Sequence, residues 1–284
     1  MRYIVWKLVG RRPALCLMAV VALLLGGMGH AQAAERDRLQ AFLSVTGFDV
    51  ALDSIALSAK DAPAMLGMDS SDFGDAWSTT ADEVFDTQNM RDTAMDILEQ
   101  TLDDDLLAHA AAFYASDLGQ KLVQVENAAH MADDDEKAEI GENLVNRMAQ
   151  EDAPRLTVLR NLTRAVNSDD VSVRAVQEIQ VRFLMAASYA GVLDTELDEG
   201  NLRAILRENE DDLRQSLRKS SVVAAAYTYR DIPEGDLQAY LEALQDPKMQ
   251  RVYELMNAVQ YEIMASRFEG LAARMAEIEK GQDL

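Results

Sequence analysis

Leu102-Asp103-Asp104-Asp105-Leu106-Leu107-Ala108-His109-Ala110-Ala111-Ala112-Phe113-Tyr114-Ala115-Ser116-Asp117-Leu118-Gly119-Gln120-Lys121-Leu122 reads as a short helix followed by the start of a second. Leu102 stands just before the first helical position, and Leu107 follows at the distance of a hydrophobic staple. The acids between them favour the positive end of the helix dipole. Leu107, Ala111 and Tyr114 continue as one apolar stripe. Ser116-Asp117 then has the chemistry of an N-cap followed by a first helical residue, so the chain breaks there. A second helix begins, with Leu122, Val125 and Ala129 as its stripe.

The same pattern returns at an offset of 130 residues. Ile232-Pro233-Glu234-Gly235-Asp236-Leu237 repeats the helix start, and Leu237, Leu241 and Leu244 repeat the stripe. Asp246-Pro247 matches Ser116-Asp117 as cap and first residue, since proline is suited to a position whose N–H has no helical partner. Val252, Leu255 and Val259 follow; Gln250, Asn257 and Ala258 are identical to Gln120, Asn127 and Ala128, and Arg251 stands for Lys121. Coincident caps, staples and stripes at one offset point to an internal duplication, with copies at 103–130 and 233–260. Two copies fall short of the three or more repeats that a solenoid needs.

Outside the copies, spacings of three and four dominate and alternation of period two is hard to find after Ala34. Leu156, Leu159, Leu162 and Val166 form one stripe, and Val176, Ile179, Phe183 and Ala187 another. From Val181 to Leu193 the segment is apolar nearly all round, as in a helix enclosed by others. Pro154, Pro233 and Pro247 each precede a new stripe, whereas Pro63 is placed in a Gly/Ser/Asp-containing loop. The expected fold is all-α, a helical bundle of about eight to ten helices with two related helical-hairpin halves. The halves, 34–152 and 153–284, meet near residues 150–156, as one large or two small domains.

Arg2, Lys7, Arg11 and Arg12 precede an apolar run from Ala14 to Leu25, and Ala31-Gln32-Ala33 supplies the A-x-A pattern of a signal peptidase site. The run is shorter than the roughly 20 residues of a spanning helix. Residues 1–33 therefore read as a cleavable export signal, and the mature protein as soluble and periplasmic. Cys16 lies inside the signal, so the mature chain has no cysteine and no disulfide or thiol chemistry. With 27 basic and 49 acidic residues in all, and four of the basic ones in the signal, the mature surface repels phosphate backbones and anionic lipid heads. Nucleic acid and direct membrane binding after cleavage are disfavoured. A hydrophobic content of 49% at helical spacing supplies a core despite the charge.

The segment Ala111 to Lys121 resembles the Phe-Tyr-x-Ser-Pro-x-Gly-Gln-Lys signature of the family called domain of unknown function 2059. The resemblance covers roughly residues 80 to 135 and is degenerate over 215 to 268. Asp117 stands where the signature often has proline, and the second copy has Ala243-Leu244 and Met249 in place of the Phe-Tyr pair and the glycine. The resemblance implies a helical fold and export in Gram-negative bacteria. It carries over no catalytic residue.

Chemical motifs are scarce. His109 and His130 lack ligand spacing such as H-E-x-x-H, and solvent-facing or capping roles account for them. The acids at 103–105, 133–136 and 194–199 precede helical stripes, where they serve first turns; Gly200 and Ile205 do not match an EF-hand loop. No G-x-S-x-G, mature S-x-x-K or glycine-rich phosphate loop occurs. No catalytic residue, metal or cofactor is assigned. The aromatic residues Phe113, Tyr114, Tyr227, Tyr229, Tyr240 and Tyr253 gather in or near the copies and read first as core packing, Trp77 being the only mature tryptophan. Phe113, Tyr114, Ser116, Gly119, Gln120, Lys121, Asp246, Pro247 and Gln250 carry the motif and its structure, while Tyr240, Tyr253 and His109 are candidates for a binding surface. The expected role is non-catalytic binding or structure in the periplasm, toward a protein or peptide partner, with self-association left open; the alternative is a periplasmic hydrolase. The exported protein should have the mass of a chain that begins at Ala34, and recovery of intact 1–33 in a membrane fraction would refute this.

Overall fold

The computed structural model describes residues 35–74, 76–166, 168–193 and 196–282. The expected export signal, its expected cut before Ala34, and Asp194 of the third acidic cluster lie outside them. Helix α1 (Glu35–Thr46) turns through 73° into α2 (Phe48–Ser58). Two 3-10 segments, Ala59–Leu66 and Ser70–Phe73, lead to α3 (Ala76–Val84) and α4 (Thr87–Thr101). The first hairpin is α5 (Asp104–Tyr114) and α6 (Asp117–His130), followed by α7 (Asp134–Gln150). Then come α8 (Pro154–Val166), α9 (Asp169–Ala190), α10 (Glu199–Glu208) and α11 (Glu210–Thr228). The second hairpin is α12 (Glu234–Leu244) and α13 (Pro247–Gln282).

The fold is all-α, with no strand among the described residues. Its helices slightly exceed the eight to ten expected. The excess comes from breaks that a single polar side chain suffices to make. Asp86, Asp103, Ser116, Asp133, Ser168 and Asp198 each accept a hydrogen bond from the N–H three residues on, so stripes that could run together are cut into separate helices. Each acidic cluster thus supplies a cap. Pro63, expected in a loop, lies inside the 3-10 segment Ala59–Leu66, whose φ the proline ring accommodates.

The second helix of the second hairpin is long. At 36 residues α13 is the spine of the molecule, packed most extensively on α9 and also on α2, α3, α4, α5, α8 and α12. Met249, Val252, Met256, Val259 and Ile263 are buried at spacings of three and four; Ala265, Phe268, Ala272 and Met275 then continue in a shifted register. The buried face therefore rotates along the helix, and neighbours gather on several sides. Phe268 is the meeting point of the halves: its ring lies edge-on to Phe85, between α3 and α4, at 5.2 Å and to Phe183 of α9 at 5.8 Å. Arg182 of α9 pairs with Glu262 at 3.1 Å and Glu269 at 2.7 Å along the same seam. One apolar core runs through both halves. In α9 the enclosed stretch ends at Ala187, and Tyr189 is 75% exposed before Gly191 caps the helix in left-handed conformation.

Two crossings depend on the absence of a side chain. A Cβ on Gly119 would lie 2.3 Å from the Phe113 carbonyl oxygen and 2.5 Å from Tyr114 Cα, so α6 starts in backbone contact with the end of α5. A Cβ on Gly141 of α7 would lie 2.4 Å from the Val223 carbonyl oxygen of α11. Backbone cannot move aside as a flexible side chain can. Gly119→Ala should therefore destabilise by about 1–3 kcal/mol, against its better helix propensity. Gly235→Ala, where a Cβ meets nothing within 4 Å, should be neutral or gain up to about 1 kcal/mol. Urea midpoints decide this, and equal midpoints would exclude the close approach.

Candidate functional site: a tyrosine–carboxyl cluster beside a cavity

The two hairpins dock on each other reciprocally. Lys121 near the start of α6 pairs with Asp236 in the first turn of α12 at 2.6 Å, and Lys248 at the start of α13 pairs with Asp105 in the first turn of α5 at 2.7 Å. These exposed pairs contribute little energy but set the orientation. Ser116 Oγ accepts the Gly119 N–H at 3.1 Å, and Asp246 Oδ1 accepts that of Lys248 at 2.8 Å. His109 Nε2 stands 3.2 Å from the same Asp246 oxygen, so the second cap is also tied to α5.

Between the hairpins lies a chain of phenols that ends on a carboxyl group. Tyr229 Oη donates to Glu126 Oε1 at 2.7 Å, and Tyr240 Oη donates to the same oxygen at 3.0 Å. Tyr253 Oη is 2.9 Å from Tyr240 Oη and is hydrogen-bonded to Tyr114 Oη. A phenol has one proton to give. With that of Tyr240 donated to Glu126, Tyr253 donates to Tyr240 and Tyr114 to Tyr253. Phe113 seals the group, stacked on Tyr240 at 5.9 Å and edge-on to Tyr114 at 5.1 Å. Five elements, α5, α6, α12, α13 and the end of α11, supply these side chains.

Burial sets the protonation of the cluster. Loss of hydration pushes the Glu126 carboxyl up to about 7, and the phenol donors Tyr229 and Tyr240 only partly oppose this. Burial also raises Tyr114, Tyr229, Tyr240 and Tyr253, so the phenols stay neutral and Glu126 is the group that exchanges a proton near neutral pH. One turn further along α6, His130 is lowered, first by burial and then by Lys137, and is neutral there.

The cluster forms one end of a cavity of about 1130 Å³ bounded by α1, α2, α6, α7, α8, α9, α11 and α13. Phe48, Leu162, Val166, Val176, Val223 and Met256 contribute its apolar wall. Glu126, Asn127, His130, Tyr229 and Tyr253 contribute polar atoms at the cluster end. At the rim, Lys137 pairs with Asp134 at 2.6 Å, Arg218 with Asp169 at 2.7 Å and Lys219 with Glu142 at 2.8 Å. Arg160 and Arg164 have no ion-pair partner among the described residues. A smaller cavity of about 360 Å³ lies at α1, α2 and α4, and its Arg91 is already bound to Asp53.

The residues singled out from the sequence divide accordingly. Tyr240 does not lie on a surface: it is 1% exposed, because Leu237, Leu241 and Leu244 share its side of α12 and draw it inward. Tyr253 is half-buried with its hydroxyl turned into the cluster, and His109 faces Asp246 outside the cavity. Tyr114 is 2% exposed and Phe113 half-buried. Gln120 Nε2 donates to the Ala115 carbonyl at 2.9 Å, closing the end of α5, while Pro247 and Gln250 are exposed in the first turn of α13. Sequence reasoning missed Glu126 and the cavity. A signal existed: Glu126 holds a core position between Leu122 and Ala129, and the offset of 130 aligns it with buried Met256.

Residues 88–147, from α4 to α7, match the model of a family described as "Uncharacterized protein conserved in bacteria (DUF2059)", so the resemblance seen in the signature is shown over that stretch. Glu126, Phe113 and Tyr114 fall within the match; Tyr229, Tyr240 and Tyr253 fall outside it. No curated protein and no solved structure matches the chain.

A carboxyl whose native pKa is raised from 4.5 to about 7 keeps its proton in the folded state while the unfolded chain loses it. Its contribution to stability is thus present below pH 4.5 and lost as pH rises through 7, by up to about 3 kcal/mol. A glutamine side chain in its place would keep an acceptor for both phenols without titrating. The stability of Glu126→Gln relative to the parent should therefore rise between pH 4.5 and pH 7.5, as read from urea unfolding. His130 titrates in both proteins and cancels in the difference; a constant difference would mean that Glu126 is not raised.

Proposed function

We propose that the mature protein is a non-catalytic binding protein of the periplasm that holds a small, largely apolar molecule in the cavity beside Glu126. The carrying observation is the cavity itself, about 1130 Å³ with an apolar wall and one polar end. That volume is of the order of known small-molecule sites, roughly 300–1,000 Å³, and a few placed polar groups are how such sites orient a ligand. The signal-like first 33 residues and the cysteine-free remainder support the compartment. A hydrolase would require convergent polar groups about His109 or a carboxylate pair. His109 lies outside the cavity against a capping acid, and Glu126 is surrounded by phenols.

Protein exported with its own first 33 residues and taken from a periplasmic extract should carry a bound small molecule in native mass spectrometry. Emptied of it, the protein should take up the apolar fluorophore N-phenyl-1-naphthylamine. Val176→Trp, which fills the cavity from its half-buried wall, should weaken that uptake about tenfold while the helical circular dichroism is kept. No retained mass together with no fluorophore uptake would end the binding-protein reading.

A further inference from the structure

The cavity's cluster end has hydrogen-bond acceptors without donors to match. Both phenol protons delivered to Glu126 arrive at Oε1, and Oε2 has no partner among the described residues although the residue lines the cavity. The next residue, Asn127, also lines the cavity, and its Oδ1 is buried with no hydrogen bond. A buried acceptor left unpaired is costly, so Asn127 Oδ1, with the unpartnered Oε2 of the residue before it, marks a place for a donor. Lys137, the cation nearest in the sequence on this cavity, is committed to Asp134 at 2.6 Å and does not fill that role.

We propose, resting on the small-molecule reading above, that the cavity binds an aliphatic primary amine, its ammonium group on Oε2 of Glu126 and its chain along the apolar wall. An ammonium brings three donors and no acceptor, which is the complement of this end. Tyr229 and Tyr253 line the same end, and aromatic side chains beside a site favour a cation. The formal net charge of −22 draws cations toward the molecule. The rival chemistry is an anionic head on Arg160 and Arg164. Those two are exposed at the mouth, anions approach against the overall field, and the other rim cations are already neutralised by Asp134, Asp169 and Glu142.

Protonation of the site distinguishes the two. The titratable groups around Glu126 are Tyr114 from α5, His130 from α6, Lys137 from α7, Tyr229 from α11, Tyr240 from α12 and Tyr253 from α13; burial keeps the phenols neutral and lowers His130, and Glu126, at about 7, is the group whose charge change lies between pH 5.5 and pH 8. An ammonium selects the ionised carboxylate, so its affinity rises with pH.

The test is calorimetry of the emptied protein with octylammonium, 1-octanol and octanoate, three probes of one chain length, at pH 8 and pH 5.5. Octylammonium should bind about tenfold to a hundredfold more tightly than octanol at pH 8, the range of a charge-assisted hydrogen bond. That advantage should shrink about tenfold or more at pH 5.5 and vanish in Glu126→Gln. Equal binding of amine and alcohol, or an amine advantage that survives Glu126→Gln and low pH, would overturn the proposal but leave the cavity reading standing. Octanoate binding tightest, and weakened by Arg160→Ala with Arg164→Ala, would assign the anionic head instead. If none of the three binds and the fluorophore does not either, the cavity reading falls and takes this one with it.

Discussion

The length of α13 is the constraint on which the rest of the structure depends. A helix of 36 residues extends about 54 Å, further than one partner helix can cover. Its apolar residues bury in one register from Met249 to Ile263 and in another from Ala265 to Met275, so no single partner satisfies them. α9 takes the longest seam, closed by Arg182 against Glu262 and Glu269, and helices from the first half take the rest. The two halves consequently share one core. Cutting the chain between residues 150 and 156 would expose faces on both sides of the cut.

Within that frame the two hairpins resemble each other in caps, stripes and turns, yet they differ where chemistry is concentrated. The first carries Glu126 at a core position, and the second carries Met256 at the corresponding one. A helix of this design therefore accepts an apolar residue there, and folding alone does not call for an acid. Burying the carboxyl raises its pKa to about 7 and opposes stability above that pH. The phenols of Tyr229 and Tyr240 offset part of the cost. An acid that costs stability, beside a cavity and with one oxygen unpaired, fits the binding role proposed for it.

The phenol chain also changes the meaning of the Phe113-Tyr114 signature. Its aromatic residues do pack, as their spacing suggested, with Phe113 stacked on Tyr240 and Tyr114 almost wholly enclosed. But Tyr114 is the outer member of a hydrogen-bond relay that ends at Glu126, and Gly119 is what lets α6 begin close enough to α5 to place it. The matched family segment supplies the carboxyl and one phenol. The other three phenols come from the remainder of the chain.

Helices, their caps and their apolar faces were legible in the residues because each is decided by neighbours three or four positions apart. Ser116 with Gly119, Asp103 with Leu106 and the stripe Leu237, Leu241, Leu244 all need nothing distant. The helices slightly exceed the expected eight to ten, and Tyr240, readable from its spacing as core packing or as part of a binding surface, is decided by the buried side of α12 and by partners distant in the chain. Only the tertiary structure decided the cluster and the cavity. Glu126 meets Tyr229 across 103 positions and Tyr240 across 114, and the cavity wall draws on eight helices, so their convergence follows from how α13 is wrapped and from no local spacing.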